Sequence, residues 1–378
     1  MDYGSLSGIV VILVFTAFVL VKKGKGPVDY LLITFNVLLA SFIALNAINL
    51  TQLSSFTLIA QNTVPFFIFP TYVFMVLITI RGRSFPTRWY LLFVPGIAFF
   101  FMTLSRHLLN DYTPADLLVE YNTPPLIDHI FFKGYQLIML AVLVVLNKEM
   151  TIYQRRISNQ FSYVDPIEVS WLRNFGRIYF VVIALTMVVF LGSNLNILPI
   201  DINMAFTVIN TLLIIAVFYM NFHGIKHYTI AQFYNQAGLE KPTGSTDEVG
   251  AVQTNEPARA TRIAANEGQA LYAQIQAVVQ EDQLYLEPAL RLNELADRLG
   301  ESTHAISEVL NHVGGQSFFD FINGYRVEHL KSLLVQPEKK QFTILALGLE
   351  SGFNSKASLN RIFKSVTGLT PLQFQKQA

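Results

Sequence analysis

The chain has 378 residues, of which 52% are hydrophobic and 14% charged, and this is too apolar for an ordinary water-soluble protein of that length. It contains no cysteine, which excludes disulfides, thiolate metal sites and cysteine nucleophiles. The formal net charge is only +1, so overall charge neither supports nor excludes nucleic acid as a partner.

Seven apolar stretches in the first part of the chain are long enough to cross a membrane. A bilayer core is about 30 Å thick and needs roughly 20 apolar residues in a helix, because lipid cannot hydrogen-bond backbone amides. The first stretch has no basic segment before it and no clear cleavage site after it, so it is predicted to be a retained helix. The predicted spans are residues 4–21, 28–50, 63–80, 89–104, 126–146, 177–198 and 202–222.

Basic residues in the loops between these spans predict the orientation of the chain. Short loops rich in lysine and arginine face the cytoplasm, and the loops on the opposite side offer only Arg106. The N-terminus is therefore predicted to lie outside, and all residues after 222 in the cytoplasm. The cytoplasmic set is Lys22, Lys23, Lys25, Arg81, Arg83, Arg88, Lys148, Arg155, Arg156, Arg173 and Lys226.

A polar stripe in the fifth predicted span is a candidate ligand site. His129, Lys133 and Gln136 recur at the spacing of one helix face, and Asp128 lies beside them near the outer end. Such a stripe fits an anionic or polar ligand. The alternative is structural, with Lys133 extending to the interface while the others bond to neighbouring helices. Neither a metal site nor a cofactor is predicted.

Residues 225–267 separate the apolar part from a soluble part. Residues 225–236 are predicted to extend the last helix into the cytoplasm, and the polar, Gly- and Pro-containing residues 238–266 are typical of a flexible tether. The predicted domains are thus a seven-helix transmembrane domain at 1–224, a juxtamembrane helix and flexible cytoplasmic linker at 225–267, and a helical domain at 268–378.

The soluble part contains an internal repeat with an offset of 53 residues, which aligns residues 302–310 with 355–363. Each copy predicts a supporting helix (292–299 and 344–350), a turn, and an exposed helix (302–311 and 355–366) with serine at its N-cap. An amphipathic helix over 318–334 separates the copies. The predicted fold is all-α: a seven-helix membrane bundle followed by a two-fold repeated helix-turn-helix domain.

Three short sequences in the second copy are highly specific: GFNS at 352–355, LNRIFK at 359–364 and TGLTP at 367–371. The helix between the copies carries Tyr325-Arg326-Val327 followed by Leu333-Leu334. With these residues, the segment 284–375 resembles the C-terminal DNA-binding domain of AraC/XylS-type transcriptional activators. The resemblance implies that one helix of each motif enters successive major-groove segments on one face of double-stranded DNA.

The outward side chains of the two exposed helices are candidate DNA contacts. The alternative for each is that it is a solvated surface residue with no role in binding. The first copy departs from the family pattern because Glu308 and Asn311 replace its usual basic pair, which weakens the expected affinity for phosphate. The candidates are Thr303, His304 and Ser307 in the first copy, and Ser355, Lys356, Ser358, Asn360, Arg361 and Lys364 in the second.

These features predict a membrane-bound one-component transcriptional regulator in the inner membrane of a bacterium. Its expected partners are double-stranded DNA, the lipid bilayer and an unidentified small ligand or membrane partner, and a homodimer is one way to couple the two parts through a flexible tether. The alternative is a receptor or transporter-like protein whose helix-turn-helix domain binds another protein. An enzyme is not predicted, since the chain has no phosphate-binding glycine loop, nucleophile elbow or zinc-protease motif.

Overall fold

The computed structural model describes residues 3–22, 24–46, 54–81, 87–122, 125–164, 169–194, 202–224 and 265–377. These ranges are helical without a β-strand, which confirms the all-α part of the prediction. The chain divides into two compact units: unit 1 holds residues 1–151 and 166–253, and unit 2 holds residues 152–165 and 254–378. The predicted juxtamembrane helix and residues 225–264 of the predicted linker region lie outside the described residues, whereas residues 265–267 of that region begin the helix Ala265–Glu281.

Unit 1 is built from apolar helices with short connections. The apolar segment Ser55–Arg81 is divided into two helices at Val64. The second helix begins at Pro65, because proline suits the first position of a helix, where its missing N–H is not needed. A helix over Pro114–Asn122 lies in a region predicted as a loop. The helices are Tyr3–Val21, Pro27–Asn46, Ser55–Thr63, Pro65–Arg81, Val94–Leu109, Pro114–Asn122, Leu126–Gln160, Ser170–Asn194 and Ile202–Gly224, with a 3-10 helix at Thr87–Phe93.

Five helical segments among the described residues are long and apolar enough to cross a membrane. The described apolar parts of the first and last helices of unit 1, Gly8–Val21 and Thr211–Gly224, are shorter. The count of seven spans therefore stays a prediction. The five segments are Pro27–Asn46, Ser55–Arg81, Thr87–Leu109, Leu126–Gln160 and Ser170–Val189.

Aromatic packing and a buried amide pair contribute to the interior of unit 1. Phe66, Phe69 and Tyr72 on Pro65–Arg81 are fully buried, and the Phe66 ring stacks on Phe99 at 4.9 Å between centroids. Asn36 donates to Asn221 at 2.7 Å and accepts from it at 3.0 Å, with both side chains buried. The two amides thus satisfy each other between helices, where an unpaired buried amide would be costly.

Unit 2 consists of two short helix pairs joined by a long helix, together with residues 152–165. We call Leu292–Leu299 and Ile344–Glu350 the supporting helices, Thr303–His312 and Lys356–Thr367 the first and second exposed helices, and Phe318–Leu334 the linking helix. Ala265–Glu281 precedes the first pair, and Pro371–Gln377 follows the second.

Two separate apolar clusters form the core of unit 2. The first core cluster gathers Ile275, Leu295 and Ile306 around the N-terminal half of the linking helix, which contributes residues up to Ile322. The second core cluster begins at Val327 on the same helix and includes Leu347 and Phe363. The linking helix thus belongs to both clusters and sets the relative position of the two helix pairs.

Candidate nucleic-acid interface

The first exposed helix is held by a cap at one end and an apolar inner face. The first supporting helix ends at Gly300, whose φ of 67° is the left-handed conformation that favours glycine. Ser302 then caps the exposed helix, accepting a hydrogen bond from the Ala305 N–H at 3.1 Å. Ile306, Val309 and Leu310 are buried, so the opposite face of the helix meets solvent.

Two of the three predicted contacts in this helix are exposed. Thr303 and His304 lie open to solvent, while Ser307 is half-buried and accepts from Asn311 Nδ2 at 3.3 Å. His304 Nδ1 lies 3.7 Å from Glu308 Oε2. The helix carries neither lysine nor arginine, so its exposed face offers hydrogen-bonding groups but little positive charge.

The second exposed helix repeats this local arrangement with a different charge. Gly352 forms the turn with φ 87°, and Ser355 caps the helix by accepting from the Ser358 N–H at 3.1 Å. Lys356, Arg361 and Lys364 are exposed along the helix. Both predicted serine N-caps, Ser302 and Ser355, are confirmed.

The exposed basic groups give this surface its positive charge. The Arg361 guanidinium lies 5.9 Å from the centre of the Phe319 ring of the linking helix, a cation–π distance that restricts its motion. Asn360 is half-buried. Lysine and arginine side chains placed like this can neutralise phosphates, while hydroxyl and amide groups can reach base edges.

The prediction that Ser358 points outward is wrong, because its side chain is only 2% exposed. Ser358 shares the inner face of the helix with Leu359, Ile362 and Phe363, the face that packs on the second core cluster. A serine there is small enough to fit under the helix, and its hydroxyl cannot reach a base edge.

Arg326, the middle residue of the Tyr325-Arg326-Val327 motif, has a structural role that its sequence context does not indicate. Among the described residues it is the largest fully buried side chain, at 1% exposure, and it stands on the linking helix between the two core clusters. Burial lowers the pKa of Arg326 to about 9, so the guanidinium still carries its charge at neutral pH. A buried arginine that donates to backbone carbonyls fixes the local chain path, which no hydropathy pattern predicts.

Three of the four polar residues predicted as a membrane ligand site have identified hydrogen-bond partners. Asp128 accepts from Arg106 Nη1 at 3.1 Å and Nη2 at 2.8 Å. Lys133 donates to Gln136 at 3.1 Å, and Gln136 donates to Thr186 at 3.3 Å. His129 is half-buried. These contacts match the structural alternative for Asp128 and Gln136, which bond to groups outside their own helix.

Sequence reasoning did not anticipate the ionic cluster around Arg106. Arg106 Nη2 also donates to Glu120 Oε1 at 2.6 Å, and Glu120 is 7% exposed. The loop acids near Arg106 were a signal for this cluster, but only the Pro114–Asn122 helix brings Glu120 back onto it.

Comparison with known proteins supports the helix-turn-helix part of the expected resemblance. Residues 295–377 match the family described as Helix-turn-helix domain. Relatives named as uncharacterized HTH-type transcriptional regulators, from Staphylococcus aureus strains COL, MSSA476 and N315, are each 34% identical to the chain over 93 residues. The similarity covers 25% of this chain and 12% of each relative. No solved structure matches.

Proposed function

We propose that the chain is a membrane-bound, one-component transcriptional regulator with no catalytic role. In this proposal, unit 1 spans a bacterial inner membrane seven times and senses a signal, while unit 2 binds promoter DNA through two helix-turn-helix motifs. The observation that carries the proposal is the pair of serine-capped exposed helices, each buried on one face and open on the other. Such helices fit the major groove of DNA.

The apolar surface of unit 1 supports a membrane location. Large apolar side chains are exposed along its helices, among them Val21 at 79%, Phe101 at 61% and Leu109 at 83%. Water would penalise such a surface, whereas lipid solvates it. In this proposal the polar residues Asp128, His129, Lys133 and Gln136 of the helix Leu126–Gln160 remain the candidate ligand site.

The two exposed helices contribute unequally to DNA binding in this proposal. The second carries Lys356, Arg361 and Lys364, and it supplies most of the attraction to phosphate. The first carries Glu308 and no lysine or arginine, and it contributes hydrogen bonds near its N-terminus. The same acidity favours a second candidate function, in which the first helix docks a protein.

The test is DNA binding by the full chain in lipid nanodiscs, with selection from fragments of the host genome. The variant K356Q/K364Q is expected to weaken binding and to lower the slope of log K against log salt by about 0.9 for each phosphate that is no longer neutralised. The control variant R298Q/K340Q removes two positive charges elsewhere in unit 2 and should leave the slope unchanged.

No preference for any genomic fragment over bulk DNA would contradict the proposal. Equal slopes for K356Q/K364Q and the wild type would contradict the role of the second helix. Protein partners that persist after DNase treatment, with no promoter occupied in cells, would favour the protein-docking candidate instead.

A further inference from the structure

Residues 161–164, which we call the docking segment, belong to unit 2 although they lie far from the rest of it in sequence. They directly follow the helix Leu126–Gln160, which contains one of the candidate membrane spans. Phe161, Ser162 and Val164 are buried, with Ser162 only 1% exposed. A polar residue and two apolar residues hidden in a short connection indicate a specific site and not a passing loop.

The docking segment is bound along its backbone to the chain just before the first supporting helix. Phe161 and Arg291 form an antiparallel β-bridge. The Ser162 N–H donates to the Leu290 carbonyl at 3.2 Å, and the Ser162 hydroxyl donates to the same oxygen at 2.8 Å. These contacts pair the segment with residues 290–291 like one rung of a sheet.

The linking helix binds the other side of the segment. Asn323 Nδ2 donates to the Ser162 carbonyl at 3.0 Å, and Arg326 Nη1 donates to it at 3.2 Å. Arg326 Nη2 also reaches the Ser162 hydroxyl at 3.1 Å. Leu290, Arg291, Asn323 and Arg326 thus form a slot, which we call the junction slot, occupied by one residue of the docking segment.

Arg326 links the junction slot to residues 285–288, on which the turn of the second helix pair also rests. Its Nε donates to the Tyr285 carbonyl at 2.7 Å and its Nη2 to the Glu287 carbonyl at 2.7 Å, both just before the first pair. Beside it, the turn of the second pair is fixed by Asn354 Nδ2, which donates to the Pro288 carbonyl at 2.7 Å. The slot therefore lies where the two core clusters meet.

Undocking of the docking segment would remove hydrogen-bond acceptors from the buried guanidinium of Arg326. Arg326 would lose the Ser162 carbonyl and hydroxyl, and Asn323 would lose one of its two acceptors. Buried donors left without acceptors are costly, and those on a charged group most of all. The expected response is a shift of Arg326, which also disturbs residues 285–288 and the turn that rests on them.

We propose that the junction slot is the regulatory site of unit 2, and that the docking segment is its occupant. Docked, the segment fixes the spacing of the two exposed helices; undocked, the spacing relaxes and DNA binding weakens. Movement of the helix Leu126–Gln160 reaches the slot by direct covalent continuity at Phe161, without passing through residues 225–264. The DNA-binding consequence rests on the proposed function, while the docking itself does not.

The variant S162K tests the docking in the full chain in nanodiscs. It places a second positive charge against Arg326, and the loss of hydrogen bonds to a charged group should speed amide exchange at residues 284–290 and 318–327 by about tenfold. DNA binding should weaken by a similar factor. Q160K is the matched control, because it adds the same charge at an exposed position two residues earlier.

A disulfide keeps the test valid if S162K disrupts folding. The chain has no natural cysteine, so F161C/R291C is the only pair that can form, and bridged residues lie within disulfide range. The pair should crosslink under mild oxidation in the full chain. In F161C/S162K/R291C, oxidation should restore DNA binding, and reduction should abolish the gain.

Unchanged exchange in S162K, or failure of F161C/R291C to crosslink, would overturn the docking. Faster exchange with unchanged DNA affinity would overturn the regulatory role. If the F161C/R291C variant crosslinks but binds no DNA, the proposed function and the regulatory role are both refuted. The docking itself is then still supported.

Discussion

The turn at Gly352 offers a sharp test of how unit 2 is packed. Gly300 and Gly352 stand in equivalent turns after the two supporting helices, with φ of 67° and 87°. Alanine at either position must adopt the left-handed conformation, which costs about 1–2 kcal/mol. The surroundings differ, since a Cβ at Gly300 would meet nothing within 4 Å, whereas one at Gly352 would overlap the Tyr285 carbonyl oxygen and lie 3.0 Å from Arg326 Nε.

The expected effect follows from this difference. At Gly352 the added methyl group forces the backbone at Tyr285 and the side chain of Arg326 to move, and overpacking of this kind adds about 1–3 kcal/mol. G352A should therefore destabilise unit 2 by roughly 1–3 kcal/mol more than G300A, a difference of about 5- to 150-fold in an opening equilibrium.

Hydrogen exchange measured on the full chain in nanodiscs can detect this difference. The slowest amides of the linking helix report opening of unit 2, and their exchange should be faster in G352A than in G300A by that factor. Equal exchange in the two variants would refute the close packing of the Gly352 turn on Tyr285 and Arg326.

Three further outcomes are expected. Burial lowers the pKa of His329 from its ordinary 6.5, so the unfolded chain binds the proton before the folded chain does as pH falls. The melting temperature of unit 2 should therefore decrease below pH 6.5, and it should decrease less in H329Q. The control variant H312Q, at an exposed position, should behave like the wild type. S355A removes the cap on the second exposed helix and should lower the free energy of unfolding of unit 2 by about 1 kcal/mol, as measured by hydrogen exchange. The control variant S365A, in the same helix, should leave this free energy unchanged. R106M leaves Asp128 and Glu120 buried without their cation and should lower stability by about 3–5 kcal/mol, seen as a lower melting temperature in detergent that the exposed-site control R88M does not show.

The supporting helices and the linking helix of unit 2 are predictable from local signals in the sequence. The predicted supporting helices at 292–299 and 344–350 and the linking helix at 318–334 coincide with the structure. These helices are defined by signals that lie within a few residues of each helix: apolar periodicity, glycine turns and serine caps. A helix that packs against its immediate neighbours in sequence leaves such a pattern.

Contacts between distant parts of the chain left no such pattern. The hydrogen bond from Arg326 to Ser162 joins residues 164 positions apart, and nothing near Ser162 indicates a partner. The helix that begins at Leu126 continues to Gln160, beyond the end of the predicted span at residue 146. Hydropathy predicts only the apolar part of a helix, whereas backbone hydrogen bonding can continue through polar residues. The chemistry of Ser358 predicts an outward side chain, whereas its position on the inner face of the helix determines its burial.

The central claim is that unit 1 crosses the membrane and holds the DNA-binding unit at the cytoplasmic face. The absence of natural cysteine allows this to be measured with single cysteines at two exposed positions, Ala115 in unit 1 and Ser365 on the second exposed helix. With a membrane-impermeant maleimide, A115C should be labelled in cells whose inner membrane is intact, and S365C only after that membrane is permeabilised. Labelling of S365C in cells with an intact inner membrane would contradict the claim, because unit 2 could then reach no promoter.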